Sequence, residues 1–253
     1  MRVFVSALAV SAVVGIAACA EAPAEDAPGT EATSQDLLAT AGAADPPTGS
    51  LPPGPPRAEQ PDPQSLDIAV LGFDRGSKEA PVRVVEFSDY GCGYCRKFHI
   101  ETWPTLLREF VDAGKIEWKF LPYVSGMFEN STAATTAAEC VLEQDDMLYI
   151  TMNGLVWDRQ SDWKRASDPT PVLRDLAAES GADLPRYEAC VANGRRARRV
   201  EAATAVAAEM GVRATPTFFV VGYPPLQGAL PTEVFLQVLN MVYEEATRAG
   251  GND

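Results

Sequence analysis

Cys92-Gly93-Tyr94-Cys95 sets two thiols one helical turn apart, and what they can do depends on where the chain puts them. A β-branched run, Val82 to Phe87, comes just before, and apolar residues at helical spacing follow, so Cys92 falls where a strand gives way to a helix. A thiol at a helix N-terminus faces unpaired backbone N–H groups and the positive end of the dipole. Both favour the thiolate and lower the pKa of Cys92. Cys95 is then placed to attack a mixed disulfide formed at Cys92, which makes the pair a nucleophile and its resolver. Two other readings compete. Zinc needs four ligands, whereas Cys92, Cys95 and His99, the single histidine of the chain, supply three, and apart from Cys19 at the N-terminal apolar run the only other thiols are Cys140 and Cys190. A structural staple closing so short a loop restricts the unfolded chain by only ~2 kcal/mol. Thiol redox chemistry is the expectation, with no metal and no cofactor.

Cys140 and Cys190 lie fifty positions apart on separate helical segments. Joined, they would restrict the unfolded chain by ~4 kcal/mol, enough to matter against a total stability of roughly 5–15 kcal/mol. A structural disulfide is the expectation; two buried free thiols or a second redox pair are the alternatives.

The elements that must position these residues can be read from periodicity. Val82 to Phe87 reads as a buried strand, and Phe98, Trp103, Leu106, Leu107 and Phe110 as one helix ending at Ala113-Gly114. Ile116 to Leu121 alternates at period two and reads as the next strand, ended by Pro122. From about 125 to 210 no strand is evident; Ala-rich helical segments dominate. Thr217 to Val221 resumes the strand pattern, followed by a turn over 222–225, a short strand over 226–229 and a last helix, with Pro231 and Glu233 suited to its first turn. The order is β-α-β, a helical block, then β-β-α. The class is α/β, a central mixed sheet flanked by helices. His99 reads as a packed or solvated helix residue rather than a catalyst, and Arg195, Arg196, Arg198 and Arg199 as a solvated helix face.

The chain has 253 residues, 46% of them hydrophobic and 22% charged, with a formal net charge of −14 from 35 acidic and 21 basic residues. That balance argues against nucleic acid, whose phosphates attract clustered Lys and Arg. The run from Val3 to Ala18 is apolar but too short to span a hydrocarbon core of roughly 30 Å, and fits a signal peptide over 1–18. Ile16-Ala17-Ala18-Cys19 resembles the lipobox of bacterial lipoproteins, which makes Cys19 the lipidated residue; an ordinary cleaved signal containing a Cys is the alternative. Residues 20–65 hold ten Pro, no aromatic residue and eight acidic residues against Arg57 alone. Such a segment buries too little to offset its ordering entropy, so 19–65 is expected to be a lipidated, disordered tether. All four Trp and all seven Tyr fall in 66–253, the expected folded domain.

The segment Val84-Val85-Glu86-Phe87-Ser88-Asp89-Tyr90-Gly91-Cys92-Gly93-Tyr94-Cys95, together with Gly211-Val212-Arg213-Ala214-Thr215-Pro216-Thr217-Phe218-Phe219-Val220, resembles the DsbA-like branch of the thioredoxin superfamily. The resemblance covers about 66–250 and implies a thioredoxin fold with an inserted helical subdomain. It implies that Cys92 is the exposed nucleophile, Cys95 the buried partner, and Thr215 and a cis Pro216 the substrate-facing loop, with Thr215 backbone atoms pairing with an extended peptide. Relatives carry a buried acid at the position of Glu86, and its place between Val85 and Phe87 aims it at the opposite side of the sheet from theirs. Glu86 is expected to accept and return the proton of Cys95; a surface Glu paired with an Arg is the alternative. Asp89 and Tyr94 receive no chemical step. The departure is Gly93-Tyr94, where strongly oxidising relatives carry Pro-His; without that imidazolium Cys92 is expected to be less acidic and the disulfide less oxidising.

The reading is thus a membrane-tethered thiol–disulfide oxidoreductase outside the cytoplasm, periplasmic or in the cell envelope. Its expected partners are exported proteins with cysteines, a redox partner protein and the membrane through its lipid, and it is expected to be a monomer. A reductase or isomerase using the same dithiol, or a non-catalytic binding lipoprotein on this scaffold, are the alternatives.

Overall fold

The computed structural model describes residues 68–250. The expected signal peptide over 1–18, Cys19 and the expected tether lie outside the described residues. Among the described residues, no helix is long and apolar enough to cross a membrane.

The sheet is built around β2 (Val82–Ser88), in which every residue but Arg83 is buried. A strand covered on both faces reads as a continuous β-branched run rather than a clean alternation. β3 (Ile116–Pro122) lies parallel on one side of β2, with Glu86 beside Phe120. β4 (Thr217–Val220) lies antiparallel on the other, with Glu86 beside Phe218. β1 (Phe73–Arg75) and β5 (Leu226–Gln227) complete the order β1-β3-β2-β4-β5.

One face of this sheet, with Val84, Trp118 and Phe218, packs against Phe98, Leu106 and Phe110 and against Phe235 and Leu239 of the last helix. The opposite face, with Val85, Phe87 and Leu121, packs against Ala202, Ala203 and Ala207. The helix after the dithiol is less regular than its spacing suggests. α1 (Gly93–Lys97) passes into a π-turn at Phe98–Thr102, α2 (Trp103–Leu106), and a second π-turn at Leu107–Val111. Pro104 lies inside this run and has no N–H to offer the preceding turn, which widens the ladder there.

Between β3 and β4 stand α3 (Ser131–Leu142), α4 (Asp146–Asp158), α5 (Gln160–Lys164), α6 (Thr170–Glu179), α7 (Leu184–Asn193) and α8 (Arg195–Glu209), and α9 (Thr232–Gly250) closes the described chain. The helical block supplies most of a further core, in which Val141, Met152, Trp157, Trp163 and Leu176 are buried together with Tyr90, Cys92 and Cys95 of the dithiol turn. Cys140 of α3 and Cys190 of α7 are disulfide-bonded, with Cα atoms 5.7 Å apart.

Two features add to the sequence reading and one reading changes. β1 is absent from the sequence reading: three residues with two charges carry no period, and the strand is held by pairing with β3 and by Asp74 bonding Lys119 and Lys78, both at 2.7 Å. Gly72 just before it is required by space as well as by its φ of +68°, since a Cβ there would meet the Phe120 carbonyl oxygen at 2.1 Å. Both faces of β3 are covered: Glu117 and Lys119 are buried and paired with Arg83, Lys78 and Asp74. The arginine cluster is only partly a solvated face: Arg196 has a side chain 15% exposed and bonds Glu139 and Glu143, while Arg199 bonds Glu139.

Candidate active site

Cys92 is the residue before α1, with φ −77° and ψ 125°, so its backbone is still extended while its carbonyl already accepts from Arg96 N–H at 3.1 Å. The turn that delivers it is tightly determined. Gly91 N–H donates to Asp89 Oδ1 at 2.8 Å, and Ser131 Oγ donates to the same oxygen. A Cβ on Gly91 would stand 2.4 Å from Cβ of Phe128, so only glycine lets that ring close over the turn. From the helical block, Gln160 Nε2 donates to the carbonyls of Tyr90 at 2.5 Å and Cys92 at 3.1 Å. Burial raises the pKa of Asp89 against the hydrogen bonds from Ser131 and Gly91.

The two sulfurs have opposite environments. Cys92 is brought down to about 5, first by the hydrogen bond from the Cys95 thiol, then by Thr215 and by the backbone N–H groups of Cys95 and Tyr94, against the opposing effect of burial. Cys95 is pushed well above the ordinary thiol range by burial and by the neighbouring Cys92 sulfur, with the Ser88 hydroxyl bonding it in the other direction. At neutral pH the pair therefore holds one charge, on Cys92.

Cys92 is not exposed in the sense the resemblance implied. The residue is 3% exposed and its Sγ lies 3.4 Å from the Thr215 carbonyl. It is reached through an open cavity of about 540 Å³ walled by Tyr94, Tyr123, Met127, Phe128 and Thr215, with Lys97 and Arg213 as the charged residues lining it. Thr215–Pro216 is cis, and Thr215 is half-buried. The cavity wall is moored from behind by Asn130, left-handed at φ 58°, whose Nδ2 lies 2.8–3.3 Å from the carbonyls of Trp163, Lys164 and Ala166.

Glu86 is fully buried, which removes the surface-pair alternative. Its Oε1 accepts from Ser88 Oγ at 2.5 Å and faces His99 Nε2 at 2.7 Å; its Oε2 accepts from Trp118 Nε1 at 2.9 Å. Ser88 thus stands between the Glu86 carboxylate and the Cys95 sulfur. His99 is packed, its ring stacked on Trp157 at 4.4 Å and 12°. Tyr94 is 69% exposed beside the cavity. The structure brings Cys92, Cys95 and Thr215 together and sets Glu86 one residue removed from Cys95. Cys140 and Cys190 are bonded to each other between α3 and α7, in the same buried cluster that the dithiol turn joins. Among the described residues, no group of three or more His, Cys, Asp and Glu is placed to hold a metal ion.

Ser88, Gln160, Trp118 and the cavity residues Tyr123, Met127 and Phe128 were missed. Ser88 was within reach of the sequence, since i and i+2 on a strand share a face with Glu86. Gln160 and Trp118 are brought in by tertiary packing and left no local signal.

Residues 72–225 match the family model described as thioredoxin. The chain is 29% identical over 148 residues to disulfide bond formation protein D of Bacillus subtilis, covering 57% of this chain and 65% of that protein, so it spans just under two thirds of that relative's length. Among solved structures, α-DsbA1 of Wolbachia pipientis superposes with a TM-score of 0.62 at 22% identity, covering 72% of this chain and 97% of that one. BdbD of Bacillus subtilis gives 0.61 at 24% identity, covering 68% and 92%. With the mixed sheet, the dithiol at the strand-to-helix turn and the helical insertion already established, the chain belongs to the thioredoxin family and has the DsbA-like form of its fold.

Proposed function

We propose that the protein is an extracytoplasmic thiol–disulfide oxidoreductase that donates the Cys92–Cys95 disulfide to exported proteins carrying cysteines. The observation that carries this reading is the split between the two sulfurs: Cys92 down at about 5 beside an open cavity, Cys95 pushed up beneath it. A client thiolate attacks Cys92 Sγ, and the Cys92–Cys95 bond breaks with its electron pair on Cys95. A second client thiolate then attacks the client sulfur of the mixed disulfide and expels Cys92, a good leaving group because its thiolate is stabilised. The client dithiol is oxidised by two electrons and the protein disulfide is reduced by two. Glu86 returns a proton to Cys95 through Ser88. Thr215 backbone atoms pair with the extended client beside Pro216, and the apolar cavity takes a neighbouring side chain.

A stabilised Cys92 thiolate favours release of the client and a more oxidising disulfide, while Gly93-Tyr94 in place of Pro-His leaves out the further stabilisation an imidazolium would give. The name of the Bacillus subtilis relative, disulfide bond formation protein D, favours the same direction. A lipid on Cys19 and the 20–65 tether would hold the domain near a membrane as a monomer, reoxidised by a partner protein.

Equilibration of the purified protein with a glutathione buffer tests the direction. A potential near or above that of glutathione supports donation, and one far below it makes the protein a reductase. Glu86→Gln tests the proton step: an unchanged pH dependence of exchange removes Glu86 from it.

A further inference from the structure

We propose that His99 is a positioning and relay residue that connects Glu86 to a buried water site, so that protons reach Cys95 from a cavity other than the one that leads to Cys92. The proposal rests on the exchange reaction above and extends its proton step.

His99 has a side chain 4% exposed, and each ring nitrogen faces a different surrounding. Nε2 is on Glu86 Oε1 at 2.7 Å, whereas Nδ1 is buried and has no protein partner among the described residues. A buried ring nitrogen left without a partner is costly unless water meets it. His99 and Glu86 line a cavity of about 30 Å³ whose other polar walls are Arg75, Tyr149 and Asn153. That exceeds the ~10–15 Å³ needed for a water, and the walls offer the two to four polar partners a buried water takes. Arg75, with a side chain 27% exposed, lies on the way from the cavity to solvent.

The groups facing His99 leave few that can exchange a proton. Glu86 on β2 is bonded at both oxygens, and Trp118 on β3 only donates. Arg75 on β1 stays charged. Burial pushes the Tyr149 hydroxyl of α4 well above its usual range, so it stays protonated. His99 is the remaining side chain that can accept a proton at Nδ1 while releasing one at Nε2. When the Cys92–Cys95 bond breaks, the electron pair on Cys95 Sγ takes the Ser88 hydroxyl proton. Ser88 is reprotonated through Glu86 Oε1 from His99 Nε2, and His99 regains a proton at Nδ1 from the cavity water. Charge and protons balance, with one proton drawn from solvent for each Cys95 thiol formed.

The test uses single-turnover reduction of the oxidised protein by a dithiol peptide, followed against pH. His99→Gln keeps a donor for Glu86 and cannot relay. It is expected to slow the step about tenfold, below the ~10²–10⁴-fold typical of a direct acid–base group, and to change the shape of the rate profile against pH. Its glutathione equilibrium at a fixed pH should stay close to that of the wild type, which a merely structural defect would not spare. An unchanged rate and pH profile in His99→Gln, with the wild type active, overturns the relay and leaves the exchange reaction standing. Loss of exchange in the wild type itself overturns both. The wild type alone gives a second reading that needs no variant: the relay predicts a solvent deuterium isotope effect on this step with a curved proton inventory, and its absence overturns the proposal.

Discussion

The chain holds two cysteine pairs of identical atoms in opposite circumstances. Cys92 and Cys95 are free thiols at a turn, one ionised beside an open cavity and one protonated above a serine and a carboxylate. Cys140 and Cys190 are bonded between two helices, and Glu143 Oε2 lies 3.8 Å from the Cys190 sulfur. A carboxylate beside a sulfur opposes the thiolate, whereas N–H groups and a thiol donor favour it. Reactivity is therefore set by what surrounds the sulfur and not by the presence of a pair.

The largest effect expected from this contrast is kinetic. Cys92→Ser should lower dithiol oxidation by at least ~10³-fold in a stopped-flow assay, while Cys140→Ala with Cys190→Ala leaves the rate essentially unchanged. Equal losses in both variants would break the distinction. The same double variant should lose ~4 kcal/mol of stability in urea unfolding, through the loop of 50 residues that the bond closes.

The next effect is a pH dependence confined to one pair. Cys92 titrates at about 5 in the folded dithiol protein against ~8.5 in the unfolded chain, so the unfolded state binds more protons between these values. Stability of the reduced protein should rise with pH across that window and be lost as pH falls through about 5. Urea midpoints of the reduced wild type and of Cys92→Ser, compared from pH 5 to about 8.5, should diverge upward for the wild type. The smallest effect tests the bridge between the regions: Gln160→Leu leaves the Tyr90 and Cys92 carbonyls without their donor. It should cost about 1–3 kcal/mol by urea unfolding and shift the glutathione equilibrium as well, since the turn carrying Cys92 loosens.

Much of the site was legible because it is local. Cys92, Cys95 and the strand-to-helix turn are set by spacing within about a dozen residues, and the strand period alone places Glu86 opposite Val85 and Phe87. What escaped is built by long-range packing. β1 draws its stability from Lys119 and Lys78, the burial of Glu117 depends on Arg83, and the His99 contact with Glu86 needs β2 and the π-turn at Phe98–Thr102 to meet. Pro104 was a visible signal of that irregular helix, overridden by the apolar period around it. The shielding of Cys92 belongs to the same class, because Phe128 and Thr215 reach it from distant segments.

Asn130 has a consequence for how the protein can diversify. By hooking onto three carbonyls at the far end of α5, it fixes the base of a loop whose tip, Met127, is 77% exposed. Substitutions at that tip would alter the mouth of the cavity while leaving the hydrogen bonds that fix the Cys92 turn, from Gln160 and Ser131, in place. If the proposed exchange with peptide clients holds, what enters and how the sulfurs react would thus be separately mutable.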